Sequence, residues 1–215
     1  MNPQELRDLL VSAMAVLSGA RDELRSLDAA IGDGDLGITV GDGAAAIQAA
    51  LLAEEPASAA AVLRAAARAF ANANPSTMSA LTAAGLLAAA RELGDATMLD
   101  RAAAIRLLDT AAAAVAARGG AEPGDKTVLD AIQPSLAALR AAPDASRDAL
   151  QAMIEAARAG VDRTSANQSR RGRAAWVGAR SAGHADGGAT AYVRFLESLD
   201  QVWPPSRPGR AAGHP

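Results

Sequence analysis

Three aspartates, Asp28, Asp33 and Asp35, lie close together in the segment DAAIGDGDLG, residues 28–37. Glycines alternate with the last two, and glycine lets a backbone turn back sharply, so that the three carboxylates can converge. Converged carboxylates repel one another strongly unless cations are present. Mg²⁺ binds oxygen ligands and is usually held by one or two protein carboxylates together with substrate phosphates. The segment therefore predicts a magnesium site that also holds phosphate groups.

The same segment matches two other motifs only in part. It fits G-x-G-x-x-G through Gly32, Gly34 and Gly37, but it follows a helical pattern rather than a strand, and its aspartates would repel a bare pyrophosphate. An EF-hand loop that began at Asp33 would lack an oxygen ligand at Gly37 and the bidentate glutamate at Ala44. On these residues alone, a solvated Asp/Gly turn between two helices stays open as an alternative.

A second segment whose side chains could bind phosphate is the connection formed by residues 164–187, which is rich in glycine and arginine. Its guanidinium groups would suit phosphate, and Trp176 adds a flat apolar face. The arginines are Arg170, Arg171, Arg173 and Arg180. Connections of about two dozen residues inside a compact domain tend to be functional, although an arginine cluster is more often a solvated surface. We expect His184, in the same connection, to be structural rather than catalytic.

The segment NPSTMS, residues 74–79, is predicted to begin a helix. Free backbone N–H groups there, together with the hydroxyl groups of Ser76, Thr77 and Ser79, would form an anion site. On this segment alone, an ordinary N-cap after Pro75 is the better explanation of the same residues.

Length and composition exclude several classes of protein. A chain of 215 residues with 50% hydrophobic and only 2% aromatic residues is expected to form one domain of alanine-rich, closely packed helices. A net charge of −3 gives no reason to expect nucleic acid as a partner. The absence of cysteine excludes disulfides and thiolate chemistry, and the two histidines, His184 and His214, are too few for a multi-histidine metal site. Without a leader or an uncharged membrane-spanning run, we expect a cytoplasmic protein with no membrane contact.

Apolar residues recur at helical spacing throughout the chain, and no segment alternates with the period of a strand. We therefore predict an all-α fold, a single bundle-like domain of about eight helices. The predicted helices span residues 4–27, 39–52, 57–73, 76–94, 100–119 and 146–163, with one more that opens near Asp125 or Thr127 and one around residues 192–199. The domain is predicted to span residues 1–203, and residues 204–215, PPSRPGRAAGHP, are predicted to be a disordered tail.

Three segments, taken in order, resemble the nucleotide-binding L subunit of the dihydroxyacetone kinases (DhaL, or DAK2 domain). They are LDAAIGDGDLG (27–37), RGGAEPGDKTVLDA (118–131) and GRAAWVGARSAGHADGGA (172–189), and the resemblance extends over residues 5–200. The family fold that it implies is a barrel of eight antiparallel helices with a magnesium nucleotide, ADP or ATP, at one end.

The resemblance also implies roles for individual residues. Asp28, Asp33 and Asp35 would be ligands of two Mg²⁺ ions on the nucleotide phosphates. The residues expected to lie at the nucleotide are Gly37, Ile38, Thr39, Ser76, Thr77, Gly119, Val128, Arg173, Asp186, Gly187 and Gly188. No catalytic side chain is implied on this chain, since phosphoryl transfer would depend on positioning and charge neutralisation.

Three features depart from the family pattern. Leu36 stands where the family commonly has histidine or another polar residue, and Gly187 replaces the proline of D-P-G. NPSTMS replaces a glycine-rich GG-x-SG stretch. We expect these departures to bear on nucleotide affinity, donor and substrate rather than on the fold.

The family L subunit docks on a K subunit that binds a keto-sugar covalently through a histidine. The resemblance therefore implies a phosphotransferase subunit that acts on a small keto-sugar held by a separate K-type partner. Its donor would be either ATP or a phosphotransferase-system protein that rephosphorylates bound ADP, and Leu36 favours ATP. A homodimer is left open. The alternative function is a non-catalytic regulatory or scaffold protein that retains the barrel, and the presence of all three aspartates argues against it.

Overall fold

The computed structural model describes residues 1–204, and within them nine α-helices form and no strand does. The helices are α1 (Pro3–Leu17), α2 (Arg21–Ala29), α3 (Leu36–Ala53), α4 (Ala59–Ala73), α5 (Thr77–Leu93), α6 (Arg101–Gly119), α7 (Leu129–Ala141), α8 (Arg147–Ser165) and α9 (Gly187–Gln201). The all-α prediction is confirmed. The predicted tail lies outside the described residues from residue 205 onward.

The predicted first helix, residues 4–27, is interrupted by a single 3₁₀ turn, Ser18–Ala20, which separates α1 from α2. Glycine and serine are weak helix formers, and the Ser18 hydroxyl donates to the Met14 carbonyl at 3.0 Å, a bond that competes with the regular helix. The backbone stays right-handed helical at Leu17, Ser18 and Arg21, so α1 and α2 form one interrupted helical stretch. With this stretch counted once, the described chain has the eight predicted helices.

Consecutive helices pack side by side in a closed ring. α1 packs on α3, each helix from α3 to α8 packs on the next, and α9 returns to α1, while α2 packs on α3 and α9. Most connections between neighbours are short, and neighbouring helices run antiparallel, so the ring is a helical barrel. The starts of α3, α5, α7 and α9 consequently lie at one end of the barrel, together with the last turns of α2, α4, α6 and α8. We call it the aspartate end, because Asp28, Asp33 and Asp35 lie there.

Glycines allow several helices to approach very closely. A Cβ atom at Gly160 in α8 would overlap the backbone carbonyl of Asp130 in α7. A Cβ atom at Gly43 in α3 would overlap the ring of Phe70 in α4. Protein interiors are close-packed, so these two contacts fix the spacing of their helix pairs.

Most helix starts carry a side-chain cap at the N-cap residue, whereas α2, α3 and α7 do not. Asp100 caps α6 through a bond from the Ala103 N–H at 2.7 Å, as predicted. Of the two residues predicted to cap α7, Asp125 does not, while the Thr127 hydroxyl accepts from the Leu129 N–H at 3.3 Å, one residue before the N-cap position at Val128. The Asp130 carboxylate holds the preceding loop by accepting from the N–H groups of Gly124 and Thr127.

Helix α3 is long and strongly apolar. By length and composition it could cross a membrane, with a mean hydropathy of 1.5, but half of it is buried inside the domain. That burial is typical of a core helix, and it agrees with the place of α3 between α1 and α4 in the ring.

Candidate functional site

The three aspartates of the opening segment come together in space. One carboxylate oxygen from each of Asp28, Asp33 and Asp35 lies within 4.8 Å of the others. Asp28 belongs to the last turn of α2, and Asp35 directly precedes α3. Between them Gly34 turns the chain with a φ of +75°, a conformation that glycine adopts at little cost. Gly32 leaves room for the carboxylate, since a Cβ atom there would lie 2.5 Å from Oδ1 of Asp28.

Arg173 lies directly against this cluster. It comes from the segment between α8 and α9, residues 166–186, which we call the α8–α9 segment. Its guanidinium donates to the two carboxylate oxygens of Asp35 at 2.7 and 3.0 Å and also pairs with Asp33. The hydrogen bonds to Asp35 and the charges of the three aspartates raise the pKa of Arg173 above its usual value. A permanent positive charge therefore stands beside the carboxylates.

The start of α3 offers unused hydrogen-bonding groups next to the cluster. Asp35 occupies the N-cap position without a side-chain cap, and the N–H of Leu36, the first residue of this 18-residue helix, donates to Oδ2 of Asp28 at 3.4 Å. The N–H groups of Gly37 and Ile38 make no hydrogen bond among the described residues and are left to other acceptors. Thr39, in the first turn, is only 1% exposed, and its hydroxyl has no hydrogen-bond partner among the described residues. A buried hydroxyl of this kind normally has a partner. Three carboxylates, a helix N-terminus and an orphaned hydroxyl together fit a magnesium-bound phosphate group.

Two of the other residues expected at the nucleotide also lie at the start of α3. Gly37 is buried against α2, where a Cβ atom would overlap the Arg21 carbonyl. Packing of α2 on α3 therefore demands glycine at this position, whether or not a phosphate approaches. Ile38 is 37% exposed and remains accessible at the surface.

Asp186, Gly187 and Gly188 form the start of α9. The Asp186 carboxylate caps this helix by accepting from the Ala189 N–H at 2.7 Å. Burial raises the pKa of Asp186 to about 6, and the charge of Asp130 acts in the same direction. In this structure the half-buried Asp186 therefore serves as the N-cap of α9.

The two glycines join α9 to its neighbours at the aspartate end. A Cβ atom at Gly188 would lie 3.8 Å from the Cβ of Val128, so these two residues are neighbours. A Cβ atom at Gly187 would lie 2.6 Å from Cδ2 of Leu36. The two departures from the family pattern, Leu36 and Gly187, therefore touch each other.

Three further residues expected at the nucleotide lie at the start of α5 and at the end of α6. Ser76 caps α5 by accepting from the Ser79 N–H at 3.1 Å, and the two hydroxyls lie 3.0 Å apart, so the ordinary N-cap accounts for both. Thr77 is exposed at the first position of α5, and Gly119 ends α6. Beside them runs an alanine-lined groove of about 800 Å³ between α4, α5 and α6.

Sequence reasoning missed the role of residues 120–130, the loop between α6 and α7 together with the first two residues of α7, which we call the lysine loop. Asp125 pairs with Arg171 at 2.9 Å and with Arg170 at 3.6 Å, so two of the four arginines expected to suit phosphate are held by a carboxylate instead. These hydrogen bonds and charges hold the pKa of Asp125 below its usual value, with Arg171 the first cause. Lys126, which sequence reasoning did not single out, is buried beneath the α8–α9 segment.

Comparison with known proteins agrees with this architecture. The model of the DAK2 domain matches residues 30–201. An L-erythrulose 1-kinase of Mycolicibacterium smegmatis is 34% identical over 182 residues, which cover 83% of this chain and 32% of the relative. The ADP-binding subunit DhaL of the PEP-dependent dihydroxyacetone kinase 1 of Listeria innocua is 28% identical over 83% of this chain and 86% of the subunit.

Among solved structures, the dihydroxyacetone kinase from C. freundii in complex with AMP-PNP and Mg²⁺ superimposes with a TM-score of 0.73 at 26% identity. The superposition covers 91% of this chain and 33% of that chain. This chain therefore spans about a third of the length of the erythrulose kinase and of the C. freundii kinase, and most of the length of the DhaL subunit. The chain belongs to the DAK2 domain family.

Proposed function

We propose that this chain is the magnesium-nucleotide-binding part of a phosphotransferase of the dihydroxyacetone kinase type. The observation that carries the proposal is the convergence of three carboxylates within 4.8 Å beside the uncapped start of α3. Such a cluster is electrostatically unfavourable without cations, and it would be expected to disappear from a site that had lost its use. Asp28, Asp33 and Asp35 would hold two Mg²⁺ ions, which supply shielding between the carboxylates and the nucleotide phosphates.

The residues of the chain would then act by binding and orientation. The N–H groups of Gly37 and Ile38 at the start of α3 and the Thr39 hydroxyl would donate to phosphate oxygens. Arg173 would exchange part of its contact with Asp33 and Asp35 for the phosphates, because its fork geometry suits both kinds of anion. Ser76, Thr77, Gly119 and the neighbouring groove would take the remaining part of the nucleotide.

A small hydroxy ketone of three or four carbons is the proposed substrate, held by a separate K-type partner protein. Support comes from the names of the relatives, which include L-erythrulose and dihydroxyacetone kinases. These sugars share a terminal hydroxymethyl ketone, so one partner chemistry would serve both. We also propose a cytoplasmic location, and a homodimer stays open as a further assembly.

ATP is the proposed donor, although the DhaL subunits among the relatives are described as PEP-dependent. Leu36 is 8% exposed and packs toward Gly187, which gives the start of α3 an apolar side chain where the family pattern has a polar one. We expect ADP to dissociate from such a site more readily than from one that retains it. Purified chain should accordingly lose ADP during gel filtration, and stoichiometric retention would favour the phosphotransferase-system donor instead.

The alternative function, a regulatory or scaffold protein, predicts a barrel that does not respond to nucleotide. A ligand that binds only the folded state raises the melting temperature, so a thermal-shift titration separates the two functions. We expect Mg²⁺ with ADP or ATP to raise the melting temperature by several degrees and Mg²⁺ alone to do much less. If neither nucleotide changes the melting temperature at millimolar concentration, the scaffold function is favoured.

A further inference from the structure

Lys126 is an unusual residue in this chain. It is the single lysine of the chain, whose other permanently basic side chains are all arginine. Lys126 is only 1% exposed to solvent. It also has a φ of +63°, the one positive φ at a non-glycine residue among residues 1–204. A long charged side chain in this backbone conformation is uncommon, and it persists only where the surroundings hold it.

The Lys126 ammonium is held by three backbone carbonyls. Nζ donates to Ser165 at 2.9 Å, to Asn167 at 2.8 Å and to Ser181 at 2.6 Å. Ser165 and Asn167 flank the beginning of the α8–α9 segment, whereas Ser181 lies near its far end. One ammonium group therefore fastens together two parts of the chain that lie more than a dozen residues apart.

This geometry explains why the residue is lysine in a chain that otherwise uses arginine. An ammonium group has three donors around one nitrogen and can serve three oxygens that converge on a point. A guanidinium spreads its donors over a planar fork and suits paired oxygens such as those of a carboxylate. Burial lowers the pKa of Lys126, and the nearby charge of Asp186 acts in the opposite direction. The three carbonyls satisfy all the donors, which offsets the cost of burying the charge.

Other bonds of the lysine loop reinforce the same attachment. The Arg170 N–H donates to the Asp125 carbonyl at 3.1 Å, and the Arg171 side chain pairs with the Asp125 carboxylate. Within the α8–α9 segment, the Ser181 hydroxyl accepts from the Ser169 N–H at 2.9 Å. The base of the segment is thus closed, and Arg173 is carried between its two attached parts.

We propose that Lys126 is a positioning residue for the candidate nucleotide site. By fastening both parts of the α8–α9 segment, its ammonium holds Arg173 against Asp33 and Asp35. The Lys126 ammonium bonds to these carbonyls and not to Asp28, Asp33 or Asp35, so it acts on the cluster through the segment. The proposal rests on the proposed function for its link to nucleotide, while the attachment of the segment can be tested without any ligand.

Trypsin provides the first test, because it cleaves after arginine and the α8–α9 segment carries Arg170, Arg171, Arg173 and Arg180. In Lys126→Met, three carbonyls lose their donor and the segment should open more often. Cleavage there should become about tenfold faster, since proteolysis follows the population of the open form. Arg68→Met, which removes an exposed charge on α4, is the matched control and should be cleaved at the native rate. Native-rate cleavage of Lys126→Met would overturn the proposal.

Chemical restoration distinguishes a lost ammonium from general damage. The chain has no cysteine, so Lys126→Cys carries a single thiol. Alkylation of the unfolded variant with 2-bromoethylamine, followed by refolding, creates a side chain nearly identical to lysine, whereas iodoacetamide creates a neutral one. The aminoethylated protein should regain protease protection and bind Mg-ADP about tenfold more tightly than the carbamidomethylated protein. Equal behaviour of the two products would contradict the proposal.

The attachment of the segment by Lys126 and the proposed function can fail independently of each other. If the native chain does not bind nucleotide, the proposed function fails, while the trypsin result still decides whether Lys126 attaches the segment. If the variants do not fold, amine acylation of the native chain decides instead. The Lys126 amine should react at least about tenfold more slowly than a lysine in a short peptide, because the reagent must wait for opening. Equal rates would show that the amine is not held.

Discussion

The aspartate loop, residues 28–37, and the lysine loop, residues 120–130, have similar compositions, but their carboxylates have different kinds of partner. Both are short, rich in glycine and acidic, and both lie at the aspartate end of the barrel. In the aspartate loop, the one ion-pair partner of Asp33 and Asp35 among residues 1–204 is Arg173, which comes from a distant part of the chain, while Asp28 accepts from the Leu36 N–H at 3.4 Å. In the lysine loop, Asp130 accepts from the N–H groups of Gly124 at 2.5 Å and Thr127 at 2.8 Å.

The difference shows how a carboxylate in a glycine-rich loop can be assigned to binding or to structure. A carboxylate such as Asp130, with both oxygens bonded to backbone N–H groups of its own loop, fixes the local fold. One whose partner is a side chain from a distant part of the chain can exchange that partner for a metal cation. The predictions below test this contrast, beginning with the change that should have the largest effect.

Asp33→Asn should abolish magnesium-dependent nucleotide binding and leave the fold intact. Asp33 is exposed, and among the described residues its carboxylate pairs with Arg173 and with no group of its own loop. The substitution therefore removes a negative charge from the cluster and leaves no backbone N–H group without its acceptor. We expect affinity for Mg-ADP to fall by at least about a hundredfold, because charge-assisted metal contacts are strong. Isothermal titration calorimetry measures the affinity, and circular dichroism checks the helicity. Asp95→Asn, an exposed aspartate at the other end of the barrel, is the control, and full binding by Asp33→Asn would contradict the assignment.

Gly160→Ala should destabilise the barrel where the lysine loop joins α7. The added methyl would overlap the Asp130 carbonyl, which is backbone and cannot swing away. We expect a loss of about 3 kcal/mol in the free energy of unfolding, measured with urea. Gly19→Ala, where a Cβ would meet nothing within 4 Å, is the matched control and should be neutral or slightly stabilising. Similar stabilities for the two variants would show that α7 and α8 can separate at little cost.

Asp130→Ala should lower stability by about 2 kcal/mol, because two partly buried N–H groups would lose their acceptor. The effect contrasts with that of Asp33→Asn, since a structural carboxylate should change unfolding first and nucleotide affinity only as a consequence. Urea unfolding and Mg-ADP titration on the same preparation distinguish the two. A variant with native stability and lost binding would place Asp130 among the binding groups instead.

The convergence of Asp28, Asp33 and Asp35 could be predicted from the sequence because it is local. The residues that must converge lie within a few positions, and the glycines that let them do so lie between them. Helix positions followed from periodicity for the same reason, apart from the interruption at Ser18–Ala20. The attachment by Lys126 could not be predicted, because its partners are backbone carbonyls 39 to 55 residues away and carry no side-chain signature. The single lysine of the chain was the one available signal.

Asp186 should make the stability of the protein depend on pH, and this is the smallest of the expected effects. Burial raises its pKa to about 6 in the folded protein, against an ordinary value of 3.8, with Asp130 acting in the same direction and Lys126 in the opposite one. A group with a raised pKa in the folded state binds its proton more tightly there. Its contribution to stability is therefore complete below pH 3.8 and is lost as the pH rises through about 6.

The Asp186→Asn variant should remove this loss, because asparagine resembles the protonated carboxyl and is itself a good N-cap. Between pH 4.5 and 6.5, the variant should gain stability relative to the native chain, as measured by urea unfolding at several pH values. Asp125, whose pKa is held low by Arg171, loses its contribution only in more acidic solution, so it should not obscure this window. Parallel pH profiles for native and variant proteins would mean that Asp186 is ionised at little cost. Its carboxylate would then belong with the exchangeable charges of the aspartate loop.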